Sequence, residues 1–261
     1  MDLSAFNIKF RLFGVPICIL PGFWILCVLF SPFMTMRNPD ERPWLFGAAG
    51  WVAALLISFL VHELGHALTA RRYFGAKPEI TLGIGRSPSG ASVFGGVTTW
   101  RTYTTPRASR LKKALVTGAG PLAAIAAAVL GIVAALPTGT KFLVNYEFGF
   151  LPVVYPFDLV SRASGTSALD LFIGYFSFGF FWINIFWSFV NLLPIYPLDG
   201  GQVMLAFAKS NSGVRTTLYV STACAVVVGG LFMIQQSWFA GLFFLDMGFV
   251  NFQASRAMEQ L

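Results

Sequence analysis

Charge is scarce in this chain. Asp, Glu, Lys and Arg make up 11% of its 261 residues, and the mean hydropathy is +0.70. Soluble domains are about 25% charged. The deficit excludes an ordinary soluble globule, a disordered chain and a nucleic-acid-binding arm. Cysteine is nearly missing too. Cys18, Cys27 and Cys224 sit apart in apolar stretches, and no CxxC pair exists. That excludes a thiolate metal site and a disulfide framework, and leaves three buried small side chains. No A-x-A pattern follows the apolar run Leu26 to Phe33, so the run is read as a retained span and not as a cleaved leader. Histidine occurs only at His62 and His66, four residues apart.

Apolar residues are what the chain has instead: 56% of the total, with 28 Phe, 7 Trp and 7 Tyr. At about 20 residues per span, the length holds about six membrane helices with little left over. The expected fold is an α-helical polytopic membrane protein, one domain over 1–261, with a small membrane-associated β-hairpin or sheet. Spans are expected at about 17–36, 44–73, 111–136, 168–193, 216–235 and 238–254. Residues 6–16 read as a short strand or turn at the membrane surface. Residues 75–110 are rich in Gly, Ser, Thr and Pro and read as a hairpin against the membrane core. Residues 137–167 form an apolar, partly interfacial connection. Pro194 to Gly201 break the chain after the fourth span, and a short helix resumes at 202–209.

The basic residues test this layout. Six spans put both termini on one side. That side holds Lys9, Arg11, Arg71, Arg72, Lys77, Arg86, Arg101, Arg107, Arg110, Lys112, Lys113, Lys209, Arg215 and Arg256; the other holds Arg37, Arg42, Lys141 and Arg162. By the positive-inside rule both termini are cytoplasmic. The same bias absorbs the net charge of +7 without a nucleic-acid partner.

His62-Glu63-Leu64-Gly65-His66 is an HExxH motif inside the second span. On a helix the two imidazoles fall one turn apart on one face, and both reach a single metal ion. The Glu beside the first His is then placed to take a proton from a metal-bound water. Gly65 is expected to leave space beside the metal face. The chance occurrence of this pattern in such a composition is on the order of 10⁻⁴. Zinc asks for a third protein ligand and an open position. With the histidines exhausted, that ligand is a carboxylate. Asp170 and Asp246 lie near span ends or in the last helix, whereas Asp199 lies in a Pro- and Gly-rich, non-helical segment just past the cytoplasmic end of the fourth span. Non-helical backbone at membrane depth belongs where it lines a cavity. Glu79 and Glu147 are the rival third ligands for a metalloprotease of a different type.

HELGHA at 62–67 and NLLPIYPLDGG at 191–201 resemble the site-2 proteases, intramembrane zinc metalloproteases of the M50 type. Gly120-Pro121 in the third span and a glycine-rich hairpin ending at Phe94 to Gly96 match as well. The resemblance covers about 45–201. It implies one zinc ion held by His62, His66 and Asp199, Glu63 as general base, and Asn191 as a catalytic residue binding substrate or the oxyanion. Relatives often show Asn or Ser shortly after the Gly-Pro; here Leu122, Ala123 and Ala124 follow. The chain reads as a minimal core without a PDZ or nucleotide-sensing domain.

The implied activity is that of a zinc endopeptidase cleaving transmembrane segments of membrane-anchored substrates. Single-span proteins or leftover signal peptides are the expected partners, beside the lipid bilayer. A bacterial inner membrane is the expected location. A non-proteolytic zinc-binding membrane protein or a transporter is the alternative. Asp246 reads equally as a functional intramembrane carboxylate or as an interfacial ion-pair partner. Asn184 is expected to make a helix–helix hydrogen bond.

Overall fold

The computed structural model describes residues 4–30, 44–101, 109–147, 151–164 and 167–258. Two strands open the chain, β1 (Ile8–Leu12) and β2 (Val15–Ile19), followed by a short helix, α1 (Gly22–Leu29). The long helix α2 (Trp44–Phe74) leads into β3 (Lys77–Arg86) and β4 (Ser92–Arg101). Then come α3 (Arg110–Ala135), a second hairpin of β5 (Phe142–Glu147) and β6 (Leu151–Pro156), and the one-turn α4 (Phe157–Val160). Helix α5 (Ala168–Trp182) runs through a π-helical turn at Ile183–Trp187 into α6 (Ser188–Asn191). After a non-helical link come α7 (Asp199–Phe207), α8 (Asn211–Ile234) and α9 (Trp238–Ala257).

Among the described residues, four stretches are long and apolar enough to cross a membrane: Trp44–Phe74, Arg110–Thr138, Ala168–Asn191 and Asn211–Ile234. They match the second to fifth expected spans. The sixth expected span is α9, a 20-residue helix that carries Asp246, Asn251 and Gln253 and is not among the four. The first differs. Its opening residues form β2, not helix, and residues 31–36 lie outside the described residues. Val15, Ile17 and Ile19 put branched side chains on one face of a strand, a pattern that suits a pleat better than a helix. β2 pairs antiparallel with β1 and parallel with β3, and β3 pairs antiparallel with β4. The two expected surface pieces are therefore one four-stranded sheet in the order β1-β2-β3-β4.

One face of that sheet is packed onto the helices. Ile17, Ile19, Ile80 and Leu82 join Phe23, Leu26, Trp51, Leu55, Phe59 and Ala67 in a single buried cluster. The Trp51 indole N–H donates to the Cys27 carbonyl at 3.1 Å, tying α1 to α2. Cys18 and Cys27 are buried, as expected, and Cys224 is partly so. Side-chain caps start three of these helices: Ser109 Oγ accepts from Lys112 N at 3.3 Å, Ser167 Oγ from Asp170 N at 3.1 Å and Ser210 Oγ from Gly213 N at 3.2 Å. Such caps satisfy otherwise orphaned amides.

Where α5 passes α2, Asn184 Nδ2 donates to Ser58 Oγ at 2.7 Å, the expected helix–helix bond. Ser58 is one turn before His62, so this bond fixes the register of the metal-motif helix. The break after the fourth span holds at Pro194, but its end does not. The short helix begins at Asp199 itself and not at 202.

Candidate metal centre

Helix α2 carries His62, Glu63 and His66, all buried. Asp199, the first residue of α7, comes up against them. His66 Nε2 lies 3.2 Å from His62 Nε2, and Asp199 Oδ2 lies 3.2 Å and 3.5 Å from the two nitrogens. Among the described residues, this is the one group of three or more His, Cys, Asp or Glu side chains close enough to share a metal ion.

The triangle fits zinc. With zinc–nitrogen bonds of about 2.0–2.1 Å and tetrahedral angles, neighbouring donor atoms stand about 3.3–3.4 Å apart. Two imidazole nitrogens and a carboxylate oxygen at these separations leave room for one small cation and a fourth, open position. The donor set is the hard and borderline mixture that zinc takes.

His66 is oriented from behind. Its Nδ1 sits 2.9 Å from the Val116 carbonyl of α3. A carbonyl only accepts, so Nδ1 carries the proton and Nε2 presents its lone pair toward the shared point. Gly120, one turn on in α3, lies against the same ring. A Cβ there would collide with His66 Nε2 and stand 2.7 Å from Cδ2. Gly120→Ala is therefore expected to displace the ring and lower metal affinity by about 10- to 100-fold, measured as bound metal after dialysis against a graded chelator. Gly65 has a different role from the expected one. A Cβ there would run into the Ala119 carbonyl and the Ala123 side chain. It serves close packing of α2 on α3, and Ala123, which follows Gly120-Pro121, belongs to that contact.

Glu63 is held by β4. Thr98 Oγ1 donates to Glu63 Oε2 at 2.6 Å and lies 3.1 Å from the Glu63 carbonyl oxygen. Gly96 makes space for the carboxylate, since a Cβ would collide with Oε1 and stand 2.8 Å from Cγ. Neither Thr98 nor the reason for Gly96 was evident in the sequence. The signal was there in the two-residue alternation from Phe94 through Gly96 and Thr98 to Trp100, which puts these residues on one face of the strand.

These groups open on a cavity of about 450 Å³, lined also by Phe59, Trp187, Asn191, Gln202, Phe243 and Met247. Asn191 is buried at the end of α6, where Nδ2 donates to the Trp187 carbonyl at 3.1 Å. The second amide hydrogen remains for the cavity. The other carboxylates lie elsewhere. Asp170 pairs with Arg162 at 3.1 Å. Glu79 is exposed on β3, Glu147 ends β5, and Asp246 is exposed on α9.

The sequence profile of peptidase family M50 matches residues 50–235. The chain is 29% identical over 226 residues to Rip3 of Mycobacterium tuberculosis, named as a zinc metalloprotease. That match covers 83% of the chain and 47% of the relative. It is 27% identical over 204 residues to a protein named zinc metalloprotease from Methanocaldococcus jannaschii, covering 78% of the chain and 46% of the relative. The chain thus spans about half the length of the curated relatives it matches. Its fold is similar to that of a solved site-2 protease from Methanocaldococcus jannaschii, with a TM-score of 0.51, 19% identity and 95% coverage of both chains. The profile match takes in both motifs, and the chain belongs to peptidase family M50.

Proposed function

We propose that the chain is an intramembrane zinc endopeptidase that cuts membrane-anchored substrates within their membrane segments. One observation carries this reading: a triangle of zinc-type donors with a buried carboxylate beside it, opening on a cavity between helices apolar enough to cross a bilayer. The names of the relatives and the fold likeness to a site-2 protease support it.

His62, His66 and Asp199 hold the ion. Zinc, when bound, polarises the scissile carbonyl and eases deprotonation of water. Glu63 takes that proton as the water attacks and returns it to the leaving amine nitrogen. Thr98 keeps the Glu63 carboxylate turned toward the cavity. Asn191 offers its free N–H to the oxygen on which negative charge develops. Phe59, Trp187, Phe243 and Met247 exclude bulk water from the walls.

A peptide bond inside a helix is hidden from attack, so the substrate unwinds first. The free edge of β4 suits the unwound segment. Among the described residues β4 pairs with β3 alone, and an unpaired strand edge accepts an added strand. Phe94, Gly96, Thr98 and Trp100 of that strand line the cavity. The opposite edge, β1, is separated from β4 by two strands and is the poorer candidate. Single-span membrane proteins and leftover signal peptides have the required form. The basic-residue asymmetry supports cytoplasmic termini, and a bacterial inner membrane is the proposed setting.

Chelation tests the reading. In liposomes holding the chain and a single-span substrate, a zinc chelator is expected to stop cleavage, and one equivalent of zinc to restore it. Cleavage at the untreated rate after complete metal removal would refute a metal-dependent peptidase. A finer prediction concerns Thr98→Val, which deletes the hydroxyl bound to a charged carboxylate. Such bonds are worth about 1.5–3 kcal/mol, so kcat is expected to fall about 10- to 100-fold with zinc content unchanged.

A further inference from the structure

The loop that carries Asp199 is held from outside itself. Between α6 and α7 it makes only a few backbone bonds of its own, among them Leu193 N to Val190 O at 3.1 Å, Ile195 N to Leu193 O at 2.7 Å and Leu198 N to Ile195 O at 2.8 Å. Tyr196 is served by two later helices. Its N–H donates to Ser221 Oγ of α8 at 3.1 Å. Its carbonyl accepts from Asn251 Nδ2 of α9 at 2.6 Å. Ser221 is 0% and Asn251 2% exposed, whereas the Tyr196 side chain is 40% exposed. The interior of the protein grips this residue by its backbone alone.

Little slack separates that grip from Asp199. A Cβ at Gly201 would collide with Tyr196 N, and a Cβ at Gly200 with the Leu192 and Leu193 carbonyls. Gln202 Nε2 donates to the Pro197 carbonyl at 2.9 Å. The first turn of α7 therefore rests directly on the gripped peptide. Displacement of Tyr196 passes to Asp199, and zinc ligand distances tolerate only about 0.2 Å.

We propose that Ser221 and Asn251 are positioning residues that set the Asp199 carboxylate in register with His62 and His66, so that α8 and α9 complete the metal site without touching the ion. This rests on Asp199 being a metal ligand, as proposed above. Removing either partner leaves a buried peptide group unsatisfied, and the loop relaxes toward a new partner. Partners behind metal ligands typically change metal affinity by about 10- to 100-fold.

The test is zinc affinity, by chelator competition, and the visible spectrum of the cobalt-substituted protein, on the full chain in detergent. Compared are the parent, Ser221→Ala, Asn251→Ala, Ser221→Thr, Asp199→Ala and Thr222→Val. Thr222 Oγ1 lies 3.3 Å from the Gly248 carbonyl and links α8 to α9 without reaching the loop, so Thr222→Val reports on the helix pair alone. Ser221→Ala and Asn251→Ala are expected to lose 10- to 100-fold in zinc affinity and to alter the cobalt bands. Ser221→Thr, which keeps the hydroxyl, and Thr222→Val are expected to stay within about threefold of the parent. Parental affinity and bands in both alanine variants, even with lowered unfolding temperatures, would overturn the proposal and leave the two side chains a structural role. Equal losses in Thr222→Val would overturn it too, by tracing the effect to helix packing. If Asn251→Ala does not accumulate, Ser221→Ala decides by the same readouts. Parental affinity in Asp199→Ala would instead overturn the ligand assignment itself.

Discussion

Glu63→Gln is expected to leave zinc bound at the parental level while cleavage falls about 10²- to 10⁴-fold. The substitution keeps the size of the side chain and an oxygen for Thr98 to donate to, so the packing against Gly96 is kept. What it removes is basicity. An amide accepts no proton from the attacking water and has none to return to the leaving amine. Glu63 is not one of the three convergent donors, which is why metal content and activity should separate. Zinc by atomic emission and a single-turnover cleavage assay on the same preparation check both halves. Parental cleavage would remove Glu63 from the chemistry, and loss of zinc alongside activity would make it a ligand.

Asp199→Ala is expected to act on the metal first. A zinc site in a small domain binds with about 10–16 kcal/mol at neutral pH. One charged ligand of three carries a share of that on the order of a 10³-fold affinity change. The variant should emerge from purification with zinc far below one per chain, and cleavage should fail for want of metal. Millimolar zinc should refill the weakened site, because a 10³-fold loss from such affinities leaves a Kd of about 50 μM or tighter, while Glu79 and Asp246 are exposed on other elements and cannot take the vacated place. The paired measurement is zinc content of Asp199→Ala against Glu79→Ala. Loss in the second and not the first would point to the other type of membrane metalloprotease.

The sequence disclosed the parts of the site that depend on local geometry. Two imidazoles four residues apart on an uninterrupted 31-residue helix must share a face, so His62, Glu63 and His66 were legible at once. Asp199 was legible for a chemical reason. Zinc needed a third donor, no histidine remained, and one carboxylate lay in a segment too rich in Pro and Gly to be an ordinary span. Non-local features were hidden. The strand at Val15–Ile19 is apolar enough to begin a span; it pairs with β1 just before it, and its pairing with β3, some sixty residues later, is what ties it into the sheet. Gly200 and Gly201 look like helix breakers in a sequence. In the fold they let the start of α7 touch the backbone of Leu192 to Tyr196. Thr98 of β4 bonds Glu63, and Ser221 of α8 and Asn251 of α9 bond the loop before Asp199, each as a single polar side chain, and no spacing rule links them to HExxH.

The measurement closest to the centre of the proposal is peptide-end mapping of membrane proteins from cells carrying the parent chain or Glu63→Gln. The predicted result is a set of single-span proteins that stay intact in the Glu63→Gln cells and, with the parent, are cut at new ends inside their hydrophobic segments. The same ends in both strains, or ends confined to loops outside the membrane, would contradict intramembrane cleavage by this site.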